Sequence, residues 1–264
     1  MSELIQNQVK SKQSVIVKSQ TEIAPDIYDI WMETTMAQYA KAGQFVSVYP
    51  HDKSTLLPRP ISICEVDRNQ NRMRLVYRVQ GSGTREFSSY QEGDKIDILG
   101  NLGNGFPIEE TRGKKVMLIA GGIGIPPMIQ AAKDTLGEVV FVVGYRDSAL
   151  FLKEDMEQYG EVVVATEDRS AGIKGNVMDA IKAENLYADL IFSCGPMPML
   201  KAVKQYAQEK NIPAYISLEE RMACGVGACL GCVCKTKEVD HHSHVHNTRI
   251  CADGPVFDAK EVEI

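Results

Sequence analysis

Long apolar runs are missing from this sequence. The first thirty residues hold nothing resembling the hydrophobic region of a secretion signal, and no later segment reaches the ~20 apolar residues of a membrane span. We therefore expect a cytoplasmic protein that does not enter a membrane. Because the cytoplasm is reducing and the seven cysteines are odd in number, clustered cysteines there indicate metal ligands or redox centres more than a disulfide staple.

An excess of basic residues is also missing. The chain has 29 Lys and Arg against 35 Asp and Glu, a formal net charge of −6 that is spread along its length. Nucleic-acid binding would require a basic surface, and nothing here supplies one. We expect small molecules and proteins as partners and no nucleic acid.

The hydrophobic residues that are present change their pattern near residue 112. With 264 residues and 44% hydrophobic content, the chain is long enough for two domains with buried cores. Before residue 112, short alternating or β-branched runs separated by turns predict an antiparallel barrel or sandwich. After it, strand-like runs alternate with helical ones and predict a parallel α/β sheet. The runs are QSVIVKSQ, DIYDIWMET, QFVSVYP, ISICEVD, MRLVYRVQ and KIDILG, then KVMLIAG, EVVFVVG, EVVVATE, DLIFSCG and AYISL, with helices in PPMIQAAKDTL, ALFLKEDMEQY, GNVMDAIKAEN and PMLKAVKQYAQEKN.

A third region begins after Ser217. Residues 219–257 contain five cysteines, four of the five histidines and little periodicity, which predicts a small appended domain ordered by what its cysteines bind. We expect the domains to span residues 1–111, 112–217 and 218–264. The segment ETRGKK at the first boundary is short and polar, so the first two domains should pack together rather than hang on a linker.

The stretch CGVGACLGCVC resembles the cysteine pattern of plant-type [2Fe–2S] proteins, C-x₄-C-x₂-C followed by a distant cysteine. That resemblance implies the ligands Cys224, Cys229, Cys232 and Cys251. A glycine-rich loop allows thiolates to converge and its N–H groups to face cluster sulfides. Zinc remains an alternative, although the second cysteine knuckle that structural zinc normally takes is absent here.

Two neighbouring features are expected to be bystanders. Cys234 fits the spacing less well than Cys232 and is interpreted as a free thiol. The histidine-rich segment HHSHVH lies in the long connection between the third and fourth cysteines, where polar insertions are tolerated. We expect no specific metal site there.

A glycine turn stands at the start of the second region. In KKVMLIAGGIGIPPM, a strand leads through Gly121, Gly122 and Gly124 into a helix that opens with two prolines. Such a turn lets backbone N–H groups approach a pyrophosphate at the helix's positive end. The turn departs from G-x-G-x-x-G, so a tight turn without a ligand remains an alternative.

The first region carries a motif with a known family. PRPISI, at residues 58–63, follows GQF and precedes the nucleotide-type region, and in this order the chain resembles the ferredoxin–NADP reductase superfamily. The resemblance implies that Arg59 pairs with the FAD pyrophosphate and that Ser62 hydrogen-bonds the isoalloxazine ring near N5, with Pro60 and Ile61 between them. Taken singly, Arg59 is equally compatible with a surface ion pair and Ser62 with an ordinary strand serine.

The same resemblance extends along the first two regions. It implies a second flavin contact, a phosphate turn, and an element beside the nicotinamide. For the cysteine of that last element the alternative is a buried, inert thiol. The residues are Val76, Tyr77 and Arg78, then Gly83 and Thr84, then Cys194, Gly195 and Pro196.

Over nearly its whole length the sequence is similar to the electron-transfer subunits of dihydroorotate dehydrogenase B, with EERMACGVGACLGCVC and RICADGPVF as the cysteine segments. That similarity implies an oxidoreductase subunit of pyrimidine biosynthesis that holds FAD and one [2Fe–2S] cluster and uses NAD(H) as exchangeable substrate. Electrons would come from an FMN-containing catalytic subunit, in a heterotetramer of two plus two chains, and pass through cluster and FAD to NAD⁺. Dihydroorotate oxidation would take place on the partner, so no catalytic residue for it is expected here.

Three alternatives stay open. A related flavin and iron–sulfur subunit could serve an NAD(P)-linked hydrogenase or a ferredoxin-dependent transhydrogenase, and a zinc-bound regulator could keep the scaffold without enzymatic activity. The family favours NAD over NADP. The residues alone do not decide, since Asp147 could accept ribose hydroxyls and Arg146 could meet a 2′-phosphate.

Overall fold

The first six strands form a closed antiparallel barrel. A computed structural model describes residues 10–237, 239 and 245–264. The strand order is β1-β2-β5-β4-β3-β6, and the barrel closes because β1 pairs with both β2 and β6. The predicted antiparallel region is confirmed, as a barrel and not a sandwich. The strands are β1 Ser11–Ala24, β2 Ile27–Glu33, β3 Phe45–Tyr49, β4 Arg59–Asp67, β5 Arg72–Arg78 and β6 Lys95–Leu102.

A short helix, α1 (Ser82–Phe87), follows β5. Thr84 caps it, since its Oγ1 accepts the N–H groups of Gln80 at 2.9 Å and Gly81 at 3.2 Å. The sequence analysis interpreted GSGT only as a phosphate turn. A helix of six residues is too short to show a 3.6-residue period, so the helix itself was missed.

The second sheet has seven strands in the order β10-β9-β8-β7-β11-β12-β15, parallel except for β15. The predicted parallel α/β region is confirmed. One helix is shorter than predicted, since ALFLKEDMEQY is helical only at α3, where Leu152 enters with a left-handed φ of 63°. The elements are β7 Lys115–Gly121, α2 Pro126–Asp134, β8 Glu138–Tyr145, α3 Lys153–Glu157, β9 Glu161–Thr166, β10 Ile173–Lys174, α4 Val177–Ala183, β11 Leu190–Cys194, α5 Met197–Lys210 and β12 Ala214–Ser217.

The cysteine region is built on a small three-stranded sheet of β13 (Val233–Thr236), β14 (Asn247–Arg249) and β16 (Val262–Glu263). Between β14 and β16 the chain makes β15 (Val256–Asp258), which pairs antiparallel with β12 at the edge of the second sheet. The third region is therefore joined to the second by strand pairing. The exact domain boundaries stay predictions, and most of HHSHVH, residues 241–244, lies outside the described residues.

Arg74 of β5 joins the barrel to the second domain. Its side chain is only 10% exposed, and it contacts Asp29 and Glu65 of the barrel together with Asp155 of α3. Nearby, the N–H of Val66 donates to Gln130 Oε1 of α2 at 2.8 Å. These contacts fix the barrel against the helices that cover the second sheet.

In the described part of the chain, every helix is too short or too polar to cross a membrane. The cytoplasmic location stays a prediction.

Candidate functional site

A cavity of about 570 Å³ opens at one end of the barrel. Strands β4 and β5 pair antiparallel and bring the two predicted flavin segments to its wall. Most of the residues predicted for FAD line it. They are Arg59, Pro60, Ile61, Ser62, Val76, Tyr77, Arg78 and Thr84.

Gly83 lies directly beneath the Arg59 side chain. A Cβ at this position would stand 3.0 Å from both Cζ and Nε of Arg59, so only glycine leaves the guanidinium this place. Arg59 Nη1 donates to the carbonyl of Leu57 at 2.5 Å, and within the described residues no carboxylate pairs with it. The remaining donors of the fork are available for a diphosphate, which fits the predicted role.

The cavity wall also contains residues that the sequence analysis missed. They belong mainly to the segment that follows β12. Their position follows from the parallel pairing of β12 with β11, which brings the residues just after both strands to one edge of the sheet. No local sequence pattern encodes that pairing. The missed lining residues are Phe45, Gln80, Gly81, Ile123, Ser217, Leu218, Glu219, Glu220, Arg221, Met222 and Pro255.

Glu219 stands out in that segment because it is a carboxyl group inside the site. Much of its surface is open toward the cavity, yet protein atoms surround the carboxyl group closely enough that burial raises its pKa. It therefore holds a proton more readily than an ordinary glutamate does.

The predicted glycine turn lies where a nucleotide is expected. Gly121, Gly122 and Gly124 follow β7, and the sheet order reverses at this strand, which has β8 on one side and β11 on the other. Open α/β sheets bind ligands at such a point. Gly122 has a φ of +54°, and a Cβ there would lie 4.0 Å from Nη2 of Arg78, so the turn adjoins the flavin cavity.

The turn after β11 packs against the glycine turn. A Cβ on Gly124 would lie 2.3 Å from the carbonyl oxygen of Cys194, and one on Gly195 would lie 3.0 Å from the Gly121 nitrogen. The need for glycine at position 124 is therefore explained by packing alone. The structure brings the two predicted nicotinamide segments together, with Pro196 as the N-cap of α5.

Cys194 itself is 1% exposed, and burial, with the nearby charge of Glu219, raises its pKa well above that of a free thiol. It is a neutral thiol at physiological pH, as expected for the buried, inert thiol that the sequence analysis gave as the alternative to a nicotinamide contact.

The four predicted cluster cysteines stand in two pairs. The side chain of Cys229 reaches the sulfur of Cys224, and that of Cys232 reaches the sulfur of Cys251. In the part of the chain that the structure describes, no three Cys, His, Asp or Glu side chains gather as they do around a single metal ion. Each iron of a [2Fe–2S] cluster takes two protein ligands, and two pairs of thiols fit that requirement.

Backbone N–H groups point at these sulfurs. Val226 donates to Cys224 Sγ at 3.5 Å, Gly227 to Cys251 Sγ at 3.2 Å, and the N–H of Cys251 to Cys232 Sγ at 3.4 Å. Burial raises the pKa of Cys224, but hydrogen bonds from Val226, Cys229 and Ala228 outweigh it and lower the pKa to about 6. The loop thus favours the thiolate of Cys224, the form that binds iron. For Cys251, by contrast, burial and the neighbouring Cys232 raise the pKa.

Cys234, on β13, differs from this set. It is half-buried, and burial raises its pKa to about 11, so it is a neutral thiol. Its role as a bystander stays a prediction.

Comparison with known proteins agrees with these features. A family model described as the iron-sulfur cluster binding domain of dihydroorotate dehydrogenase B matches residues 219–263, and one for an oxidoreductase NAD-binding domain matches residues 118–205. The dihydroorotate dehydrogenase B (NAD(+)) electron transfer subunit of Bacillus cereus strain G9842 is 41% identical over 95% of this chain and 98% of its own length. That of Bacillus anthracis strain CDC 684 is 40% identical over the same shares. The chain belongs to the family of dihydroorotate dehydrogenase B electron transfer subunits.

Solved structures place this electron transfer subunit in a wider group. An NADH-dependent reduced ferredoxin-NADP oxidoreductase, studied for flavin-based electron bifurcation, superposes with a TM-score of 0.84 at 30% identity, over 95% of this chain and 90% of that one. A ferredoxin NADP⁺ reductase from Neisseria gonorrhoeae with bound FAD and NADP has a TM-score of 0.63 at 16% identity, over 81% and 95%. The second likeness shows the fold alone.

Membership in the family confirms the predicted oxidoreductase class and the predicted cofactors, FAD, a [2Fe–2S] cluster and NAD(H). It also makes the chain one subunit of an enzyme whose catalytic subunit is a separate protein. The zinc-bound regulator is excluded.

Proposed function

We propose that this subunit passes electrons from an FMN-containing, dihydroorotate-oxidising subunit to NAD⁺ through a [2Fe–2S] cluster and FAD. One observation carries the proposal, namely that the flavin-type cavity is walled by all three regions of the chain. Ser62 comes from the barrel, Ile123 from the glycine turn, and Met222 from the segment that enters the cysteine loop at Cys224. A single site thus adjoins the nucleotide turn and the cluster loop.

Flavin exchanges a hydride with nicotinamide and single electrons with an iron–sulfur centre, which is the chemistry that this arrangement requires. Arg59 binds the FAD diphosphate, and Gly83 and Thr84 lie beneath it in the first turn of α1. Ser62 holds the flavin ring. Gly121, Gly122 and the turn after β11 bind and orient the nicotinamide nucleotide.

The exposed side of the cysteine loop supports a protein partner. Cys229 is exposed, whereas Cys232 and Cys251 are 2% and 1% exposed. Val226 and Leu230, beside Cys229 in sequence, are apolar side chains with 41% and 55% of their surfaces exposed. We propose that the FMN subunit covers this loop, in a complex of two plus two chains.

A second candidate function has support from one observation. The 30% identical structure is an NADH-dependent reduced ferredoxin-NADP oxidoreductase, so a role as the flavin subunit of a ferredoxin-dependent transhydrogenase has a structural precedent. The 41% identity to dihydroorotate dehydrogenase B subunits favours the first proposal.

The test is to purify the chain with whatever binds it and to add dihydroorotate and NAD⁺. We expect an FMN protein to co-purify and NADH to form. A complex that contains no FMN protein, or that reduces NAD⁺ only with hydrogen or reduced ferredoxin, contradicts the proposal.

Substitution of a cluster cysteine tests the route of the electrons. Cys229→Ser is expected to retain FAD and to lose the [2Fe–2S] EPR signal and NAD⁺ reduction by dihydroorotate. The matched control Cys234→Ser should keep both, because its thiol is outside the two pairs. A full EPR signal in Cys229→Ser would remove this residue from the ligand set.

A further inference from the structure

Arg249 lies two residues before the fourth cysteine and is directed into the protein, with 23% of its side chain exposed. Its Nε and Nη2 donate to the two carboxylate oxygens of Asp253 at 2.8 and 2.9 Å. Its Nη1 reaches the carbonyl oxygen of Gly227 at 3.4 Å. Because a guanidinium is planar and its donors are fixed, these bonds hold it between the Cys251 turn and the first cysteine loop.

The hydrogen bonds of Arg249 to Asp253 and to Gly227 are called the clasp below. Gly227 connects this clasp to the thiol of Cys251. Its N–H donates to Cys251 Sγ at 3.2 Å, and its φ is +87°. A Cβ there would lie 2.9 Å from the Cβ of Ala252, so the residue is tightly packed on the turn that carries Cys251. The hydrogen bond from Arg249 to the Gly227 carbonyl therefore restrains Gly227, whose N–H donates to the Cys251 sulfur.

The other end of the clasp is anchored to the barrel. Asp253 accepts the backbone N–H of Arg249 at 2.9 Å, and its carbonyl accepts Nδ2 of Asn104 at 2.8 Å. Asn104 also donates its backbone N–H to the carbonyl of Gly254. Through Asp253 and Arg249, contacts with the end of the barrel therefore restrain the Gly227 N–H that faces Cys251.

We propose that Arg249 is a positioning residue that raises the reduction potential of the cluster by holding the Gly227 N–H on the Cys251 sulfur. The inference rests on the proposed function, in that these cysteines hold a [2Fe–2S] cluster. N–H bonds to ligand sulfur stabilise the more negative, reduced cluster and so raise its potential. The positive charge of Arg249 has little effect of its own on the reduction potential, because Asp253 neutralises it in a bidentate pair.

The experiment is an EPR-monitored redox titration of the intact holoprotein with its partner. Arg249→Lys keeps the charge and loses the fork, and Arg249→Gln loses both. Asp253→Asn weakens the fork and leaves the arginine in place; because loss of the carboxylate charge by itself would raise the potential, a lower potential in this variant identifies the fork as the cause. The control, Lys235→Gln, removes a charge from an exposed position on β13. We expect a lower midpoint potential than wild type in all three clasp variants at unchanged iron content, and a wild-type potential in the control.

Three results would overturn the proposal. A wild-type potential in Arg249→Lys beside a lowered one in Arg249→Gln would assign the effect to charge. Wild-type potentials in all three variants would show no effect, and loss of iron from all three would make the clasp a requirement for assembly instead. A wild-type chain without a [2Fe–2S] signal would contradict the proposed function itself, which separates that failure from this one.

Discussion

Gly83 illustrates how a single hydrogen atom in place of a methyl group decides where a functional side chain lies. A Cβ there would meet the Arg59 guanidinium at 3.0 to 3.1 Å, whereas a Cβ at Gly81 would have nothing within 4 Å. Arg59 is long and flexible, so the barrel should tolerate the methyl group and the guanidinium should move. The predicted phosphate contact would then be lost.

We therefore expect Gly83→Ala to weaken FAD binding by ~10- to 150-fold, since a hydrogen bond to a charged group contributes about 1.5–3 kcal/mol. Ser89→Ala, at an exposed position just after α1 and outside the cavity lining, should bind FAD as the wild type does. Fluorescence titration of the flavin-free chains measures both constants. Equal affinities in the two variants would separate Arg59 from FAD binding.

At the scale of elements, α1 anchors the loop that leads to Arg59. Glu86 of α1 accepts the N–H groups of His51 at 2.6 Å and Asp52 at 3.1 Å, and the hydroxyl of Tyr90 at 2.6 Å. Burial raises the pKa of Glu86, but these hydrogen bonds outweigh it, led by that of Tyr90, and the pKa is lowered. The folded chain therefore favours the carboxylate.

A lowered pKa fixes the sign of the pH dependence. The contribution of Glu86 to stability is present above the ordinary glutamate pKa and disappears as the pH falls through the folded value. We expect Glu86→Gln to lower the thermal midpoint above about pH 5, with a difference from wild type that shrinks below about pH 4. Glu92→Gln, at an exposed position, is the control. A difference that does not depend on pH would rule out the carboxylate as its cause.

The sequence predicted elements better where the signal is local. Six barrel runs and the alternating strands and helices follow from hydrophobic period. The assignment of Cys224, Cys229, Cys232 and Cys251 as cluster ligands came from their resemblance to the plant-type [2Fe–2S] pattern and stays a prediction. Helix α1 was not predicted, because its six residues are too few to show a helical hydrophobic period. The segment 217–222 escaped because its place in the cavity depends on the pairing of β11 with β12, which no local pattern encodes.

At the scale of the molecule, the Arg74 cluster sets how the flavin barrel meets the nucleotide domain. The buried guanidinium of Arg74 forms ion pairs with Asp29 and Glu65 of the barrel and with Asp155 of the second domain. Removal of one partner from a buried ionic cluster leaves the others uncompensated, and this typically costs about 3–5 kcal/mol. The same contacts hold the barrel cavity against the domain that carries the glycine turn.

Arg74→Met is expected to reduce the free energy of unfolding by about 3–5 kcal/mol, as measured by urea denaturation. Arg112→Met is the matched control, because Arg112 and its partner Glu109 are 69% and 83% exposed and such pairs contribute under about 1 kcal/mol. Similar losses in the two variants would show that the Arg74 cluster does not stabilise the domain contact.

The pairing of β15 with β12 has a consequence for how the protein is made. The second sheet begins at β7, yet its edge strand, Val256–Asp258, is synthesised only after the whole cysteine loop. Domains generally fold as they leave the ribosome, N-terminal first, and an uncovered strand edge invites pairing with another chain. On the ribosome, β12 therefore lacks its edge partner until the cysteine region has been translated, and its open edge can pair with another chain during that time.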